Sequence, residues 1–148
     1  MRWSALSSAV RGLGAAALAA AVANPSAAEA QTGERLVLFG AYWCAPCMAE
    51  YRGLPAIVSA ATPRTRVVLA WIDKPIEIPS GLAGRTDAIS AREARKLAVQ
   101  VLGQGFGLPA AAVLNPDGKA CAIRRAPMQV DDVAPLLEKC RSAASPGR

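Results

Sequence analysis

Residues 41–50 read AYWCAPCMAE, which places two cysteines three positions apart, behind a tryptophan and around a proline. Such a pair is typical of a metal site, a structural crosslink or a redox centre. The preceding run, RLVLFG at 35–40, indicates a strand covered on both faces, and residues 44–61 are long enough for a helix. Cys44 would then lie at a helix N-terminus, where unpaired N–H groups favour a thiolate. Cys47, one turn on, is within reach to close a ring.

The rest of the chain predicts an α/β domain. A second apolar run, at 66–72, completes a β-α-β unit, and Pro55 should kink or interrupt the crossover helix. The remaining predicted elements are a loop at 73–89, a helix at 90–102 behind a capping box, strands at 110–114 and 119–124 joined by the turn NPDG, and a last helix from Asp131 or Asp132. This order predicts one mixed sheet of about four strands with helices on both faces.

Three motifs give the chain a family resemblance: WCAPC at 43–47, GLP at 107–109 and NPDGK at 115–119. From about residue 34 to about residue 141 the chain resembles the thioredoxin superfamily. Within it, the chain is most similar to exported thiol-disulfide oxidoreductases of the cytochrome-c-maturation type. The resemblance implies a thioredoxin-like fold and a protein thiol-disulfide oxidoreductase whose catalytic residues are Cys44 and Cys47.

The resemblance also implies a substrate-binding surface beside the cysteines. It implies that Pro109 is cis and faces the pair, and that residues around Leu108 contact the substrate chain. Trp43 would shield the active disulfide; the alternative is simple packing of a large aromatic side chain. In place of the threonine common after the cis-proline, this chain has Ala110.

Glu50 is the candidate proton relay. It lies three residues after Cys47, so the two are neighbours on one helix, and the implied branch often has a glutamate there. The alternative is a surface glutamate. Thioredoxins have a buried acid six residues before the first cysteine, where this chain has Leu38. Since Ala45 and Pro46 add no charge that would further stabilise the reduced form, the pair is interpreted as a reductant rather than a strong oxidant.

Cys121 and Cys140 are predicted to form a structural disulfide. Alternation places Cys121 on one strand face with Ile123, and Cys140 shares a helix stripe with Val133 and Leu137. Both thiols therefore point towards apolar surroundings, and the bridge would close a loop of 140 − 121 = 19 residues. The alternative is two buried free thiols.

The N-terminal segment has the order of a secretory signal: a basic start, an apolar run at 12–23, and the small-x-small pattern AEA at 28–30. We expect cleavage after Ala30, residues 31–148 as the thioredoxin-like domain with a frayed tail from about Ser142, and a location in the periplasm or otherwise outside the cytoplasm. A retained membrane anchor is the alternative. Of the full-length charge of +6, about +5 remains after cleavage. No dense basic block is interleaved with aromatics, so no nucleic-acid partner is expected.

The chain contains no histidine, which excludes Ser-His and Cys-His nucleophile pairs and histidine metal sites. The expected substrates are protein thiols or disulfides, and a membrane thiol-disulfide carrier is the expected electron supply. We expect the protein to be a monomer and to use no metal or other cofactor. Two alternatives stay open: a redox-inert binding module on the same fold, and a copper- or zinc-handling protein that uses Cys44 and Cys47.

Overall fold

The structure is a computed structural model, and it describes residues 33–144. The predicted signal peptide at 1–30 lies outside the described residues. The elements in chain order are β1 (Arg35–Gly40), α1 (Ala45–Arg52), α2 (Leu54–Ala60), β2 (Arg66–Trp71), β3 (Thr86–Ala88), α3 (Ala91–Leu102), β4 (Ala110–Leu114), β5 (Ala120–Arg124) and α4 (Val130–Ala144). No helix in this part of the chain combines the length and the apolar character needed to cross a membrane.

The strands form one mixed sheet in the order β3-β2-β1-β4-β5. β1 pairs parallel to β2, and β2 parallel to β3, whereas β4 runs antiparallel to both β1 and β5. The predicted α/β class is therefore confirmed. The sheet has one strand more than the predicted four, because β3 lies inside the segment predicted as a loop. Its sequence, TDA, has no apolar run, and only Thr86 is buried.

Two apolar cores cover the two faces of the sheet. Leu36 and Leu38 of β1 pack on the side that also contains residues of α1, α2 and α4. Val37 and Phe39 face the opposite side, where α3 contributes Ala94, Ala98 and Leu102. Successive side chains of a strand point to opposite faces, so a central strand buried on both must be apolar throughout. This is why RLVLFG shows no alternation.

The crossover helix is interrupted, as predicted, but at Gly53 rather than at Pro55. The Gly53 N–H donates to the carbonyls of Ala49 and Glu50 and ends α1. Pro55 then occupies the first turn of α2, where a missing N–H costs nothing. The capping box of α3 is also confirmed: the Ser90 Oγ accepts from the Glu93 N–H at 3.3 Å, and the Ser90 N–H donates to the Glu93 carboxylate at 3.0 Å.

The hairpin of β4 and β5 corrects the predicted position of Cys121. Val113 pairs with Ala122 and Leu114 with Ala120, so Cys121 is an extra residue in a bulge. The bulge puts Cys121 beside Ala122 on the face covered by α4, whereas Ile123 is 37% exposed and turns away. The predicted shared face of Cys121 and Ile123 was therefore wrong.

The last helix is longer at both ends than predicted. It begins at Val130, and it continues to Ala144, so residues 142–144 of the predicted frayed tail are helical. Residues 145–148 lie outside the described part of the chain.

Candidate active site

Cys44 and Cys47 lie where the carboxyl end of β1 meets the first turn of α1. Cys44 is the N-cap residue, with φ −90° and ψ 98°, and its Sγ accepts the backbone N–H of Cys47 at 3.3 Å. The two sulfurs are bonded, with the Cα atoms 5.2 Å apart. A donor directed at the Cys44 Sγ, at the positive end of a helix, favours its thiolate when the bond opens. Both residues are largely buried, Cys47 the more deeply.

The turn that presents Cys44 is fixed by the loop after β2. The Tyr42 N–H donates to the Asp73 Oδ2 at 2.9 Å, and the Tyr42 hydroxyl donates to the Pro75 carbonyl at 3.2 Å. The Lys74 Nζ lies 4.1 Å from the centre of the Tyr42 ring. Sequence reasoning missed Asp73. The available signal was its place just after the parallel strand β2, at the edge where functional groups of α/β sheets gather.

Close packing underneath this turn explains the glycine that ends β1. A Cβ added at Gly40 would stand 2.8 Å from the Trp71 ring, which is nearer than real Cβ atoms come. The Trp71 ring is buried and makes an edge contact with Tyr51, with centroids 6.0 Å apart. A larger residue at position 40 would therefore displace the base of the cysteine turn.

Pro109 lies at the same edge of the sheet. The Leu108–Pro109 peptide bond is cis, as the resemblance implies. Pro109 directly precedes β4, and Ala110 pairs with Phe39 near the end of β1. The cis-proline and the Cys44 turn therefore extend from adjacent strands in the same direction. Leu108 is half-buried and packs against both cores.

Trp43 is not a packing residue. It is 70% exposed, the largest exposed fraction among the big apolar side chains of residues 33–144. Simple burial of an aromatic ring, the alternative considered from the sequence, is therefore wrong. An exposed indole next to the disulfide offers apolar area to whatever approaches the cysteines.

Glu50 is buried, so the surface alternative is also wrong. It is 6% exposed on the same face of α1 as Cys47, and its Oε1 has no hydrogen-bond partner. Desolvation raises the pKa of Glu50 to about 8, although the backbone amide of Met128 and the charge of Arg124 partly lower it. A carboxylate with this raised pKa is a stronger base than an ordinary one, so it can accept a proton from a neighbouring group near neutral pH.

The segment between β5 and α4 covers Glu50. Glu50 lines a cavity of about 390 Å³ together with residues of α1, α2 and 127–130. Arg124 holds this segment, since its Nε donates to the Pro127 carbonyl at 3.2 Å and its Nη2 lies 2.9 Å from the Asp132 Oδ2. The same Asp132 oxygen accepts the Gln129 N–H at 2.9 Å. Sequence reasoning missed Arg124 and Asp132, because no local pattern marks them.

The second cysteine pair is separate from this site. Cys121 and Cys140 are bonded, with Cα atoms 4.8 Å apart, which is the pairing expected from the sequence. β1 and β5 both run antiparallel to β4 and therefore point in the same direction. Cys121, near the start of β5, thus lies at the end of the sheet opposite Cys44. Cys140 is buried among the aliphatic side chains under α4. Within residues 33–144, no three histidine, cysteine or carboxylate side chains cluster as metal ligands would.

Solved structures with the same arrangement of elements are known. A DsbF homologue from Corynebacterium diphtheriae is 17% identical over 75% of this chain and 74% of its own, with a TM-score of 0.52. A thiol:disulfide interchange protein of the thioredoxin family from Chlorobium tepidum is 18% identical over 80% and 85%, also at 0.52. The thioredoxin domain of the oxidoreductase BVU-2223 from Bacteroides vulgatus is 16% identical over 76% and 81%, at 0.51.

No family model matches the sequence, and no curated protein matches it. The similarity to these solved structures therefore lies in the path of the backbone. In this chain a cysteine pair follows β1 and a cis-proline precedes β4. By its architecture the chain has the thioredoxin fold.

Proposed function

We propose that this chain is an exported protein thiol-disulfide oxidoreductase. The observation that carries the proposal is the bonded Cys44–Cys47 pair at the N-terminus of α1, with the cis Pro109 on the adjacent strand and the buried Glu50 one turn further on. Two of the similar solved structures are described as a thiol:disulfide interchange protein and a thiol-disulfide oxidoreductase, which supports the same chemistry here.

In the reducing direction the reaction starts from the dithiol. The Cys44 thiolate attacks one sulfur of a substrate disulfide, the substrate S–S bond breaks, and the other substrate sulfur leaves as a thiolate. A mixed disulfide now joins Cys44 to the substrate. Cys44 is the attacking thiol because its Sγ receives the Cys47 N–H at the helix mouth, while Cys47 lies one turn inside.

Cys47 completes the exchange. Its thiol transfers a proton to the Glu50 carboxylate, and the resulting thiolate attacks the Cys44 Sγ. The mixed disulfide breaks, the second substrate sulfur leaves, and the Cys44–Cys47 bond forms. The substrate has gained two electrons and the protein has lost two. Glu50 suits this step because its raised pKa makes it a stronger base than an ordinary carboxylate, and its unpartnered Oε1 is available to accept the proton.

We further propose that the protein acts as a reductant outside the cytoplasm and works as a monomer. The export proposal rests on the basic, apolar and small-residue order of residues 1–30. An exported reductant must be re-reduced, so a membrane thiol-disulfide carrier is the proposed electron donor. The direction rests on the dipeptide Ala45-Pro46, which adds no charge beside the cysteines.

The test is reduction of insulin disulfides by residues 31–148, with dithiothreitol as electron source. We expect turnover by the wild type and by Cys121→Ser/Cys140→Ser, and none by Cys44→Ser/Cys47→Ser. A measured potential of the Cys44–Cys47 couple near those of known reductants supports the direction. A folded wild type that turns over neither insulin nor a small disulfide would instead establish a redox-inert binding module.

A further inference from the structure

A groove separate from the Glu50 cavity lies beside the cis-proline. It has a volume of about 400 Å³ and is lined by Gly107, Leu108 and Pro109 on one side and by residues 125–127 on the other. Among these lining residues one is charged, Arg125, and none has a carboxylate. The groove is therefore a mostly apolar channel with a single cation on its wall.

Sheet register places this groove next to the redox pair. Phe39 of β1 pairs with Ala110 of β4, and Ala111 pairs with Arg124 of β5. The residues just beyond these pairs, Pro109 and Arg125, therefore extend from the same edge of the sheet as the Cys44 turn. Adjacent strands are about 4.8 Å apart, so the β5 position is about 10 Å from the β1 position across the edge.

Arg125 is held in place without being neutralised. Its Nη2 donates to the Leu102 carbonyl at 2.8 Å, one of the free carbonyls at the C-terminus of α3, where a cation is favoured. The residue remains exposed, and no carboxylate of residues 33–144 lies within salt-bridge distance of it. Its neighbour Arg124 differs, because Asp132 occupies that guanidinium.

Resting on the proposed function, we propose that the Arg125 groove is a specificity subsite that accepts a carboxylate side chain of the substrate polypeptide near its reacting cysteine. The Arg125 guanidinium is already anchored, so binding has little further side-chain freedom to remove. A guanidinium also pairs with carboxylates in a fixed geometry. Side chains of an extended chain on one face repeat about every 7 Å. Because the backbone positions of Arg125 and the Cys44 turn are about 10 Å apart, we expect the carboxylate within about three residues of the substrate cysteine.

The test uses short peptides with one reacting disulfide, identical except for Asp, Asn or Lys at each of the three positions before and after the cysteine. We expect kcat/KM for the best Asp peptide to be about fivefold above that of its Asn counterpart, the range of an exposed ion pair, and the Lys peptide to be lowest. The preference should shrink in 0.5 M salt, which screens such pairs.

Three variants assign the preference to Arg125. Arg125→Gln should abolish it, and Arg125→Lys should retain part of it, because the charge remains but the planar fork is lost. Arg92→Gln is the matched control: it removes the same exposed charge at the opposite end of α3, about 15 Å from Leu102 along the helix. An Asp preference that is absent at every position, survives Arg125→Gln, or falls equally in Arg92→Gln would overturn the proposal.

A binding measurement separates this proposal from the proposed function. Peptides with serine in place of cysteine cannot exchange disulfides, and their Kd can be measured by NMR titration of the oxidised protein. We expect the same Asp over Asn preference, lost in Arg125→Gln. Equal Kd values for Asp and Asn peptides would overturn the subsite even if turnover is normal. Arg125-dependent binding without turnover of any cysteine peptide would support the subsite and contradict the oxidoreductase activity alone.

Discussion

The two cysteine pairs contain the same bond in opposite surroundings. Cys44–Cys47 closes a ring of three residue steps at a helix N-terminus, beside the exposed Trp43 and one turn from a buried carboxyl. Cys121–Cys140 closes 19 steps and ties a strand bulge to the last helix, towards the other end of the sheet. The first pair has a backbone N–H donor, a buried carboxyl and an exposed indole beside it, whereas the second has aliphatic neighbours. The two disulfides therefore differ in their surroundings rather than in the bond itself, and these surroundings are the basis for the different roles that we propose for them.

The largest difference between the pairs should appear when single cysteines are removed. Cys47→Ser is expected to lose turnover completely while accumulating mixed disulfides, because Cys44 still attacks but nothing resolves the product. Cys44→Ser should lose turnover without trapping clients. Non-reducing electrophoresis followed by mass spectrometry of trapped species measures both. Mixed disulfides that form in Cys44→Ser and are absent from Cys47→Ser would reverse the assigned roles.

Glu50→Gln should give the next largest effect. Removing a general base typically slows its step by about 100-fold or more, so release of the mixed disulfide should slow to that extent. The wild-type rate of this step should rise with pH through about 8 as Glu50 loses its proton, and the midpoint of the rise should move in the variant, where the rate follows deprotonation of Cys47 alone. Stopped-flow measurement between pH 6 and 9.5 tests this. A profile that Glu50→Gln leaves unchanged would remove Glu50 from the mechanism.

The same carboxyl should make stability depend on pH. The folded protein keeps the Glu50 proton up to a pKa of about 8, whereas the unfolded chain loses it near the ordinary glutamate pKa of 4.5. The stabilising contribution is therefore complete below pH 4.5 and is lost as pH rises through 8, on the order of a few kcal/mol in total. In Glu50→Gln this part of the pH dependence should disappear. Urea unfolding of the oxidised wild type and of oxidised Glu50→Gln at several pH values measures this difference. If the free energy of unfolding falls with pH equally in both proteins, another group is responsible.

Removing the second pair should affect stability rather than activity. Cys121→Ser/Cys140→Ser is expected to lower the free energy of unfolding by about 3 kcal/mol, the loop-entropy estimate for 19 residues. Turnover of insulin should stay within about twofold of the wild type, since neither residue lines the active site. Chemical denaturation and the insulin assay measure the two quantities. A variant that keeps its stability and loses its turnover would make Cys121–Cys140 a working part of the redox site.

Asp132→Asn should give the smallest effect. Its half-exposed ion pair with Arg124 contributes at most about 1 kcal/mol to stability. Loss of the acid leaves the Arg124 charge uncompensated, and this charge lowers the pKa of Glu50. The midpoint of the rate profile should therefore move to lower pH. Glu138→Gln removes another exposed acid of α4 and is the control. A shift to higher pH, or an equal shift in the control, would contradict the role of Arg124.

Sequence patterns predicted the parts of this molecule that depend on neighbouring residues. The strand before Cys44, the capping box at Ser90 and the turn at Gly118, with φ 79°, follow from local spacing and all appear in the structure. The interruption near Pro55 was predicted to within two residues, because a proline ring and a glycine act on the adjacent backbone.

Features that depend on distant partners escaped prediction. Helical spacing predicted that Glu50 lies beside Cys47. The burial of Glu50 was not predicted, because it depends on residues 127–130, far along the chain. The face of Cys121 was misassigned because a bulge exists only in the register between β4 and β5. β3 was missed because its three residues are held by pairing to β2 and not by an apolar pattern. Arg124 and Asp132 were missed for the same reason. They belong to β5 and α4, and they form an ion pair only because the fold brings these two elements together.

A redox titration of the oxidised protein measures the difference between the two disulfides directly. Samples equilibrated with stepped ratios of reduced to oxidised dithiothreitol are quenched with an alkylating reagent and mapped by mass spectrometry. We expect Cys44 and Cys47 to become alkylated first, while Cys121 and Cys140 stay bridged until far more reducing conditions, because the helix N-terminus and the Cys47 N–H favour the Cys44 thiolate and so raise the potential of that pair. Opening of Cys121–Cys140 first, or of both bonds together at one potential, would contradict this expectation.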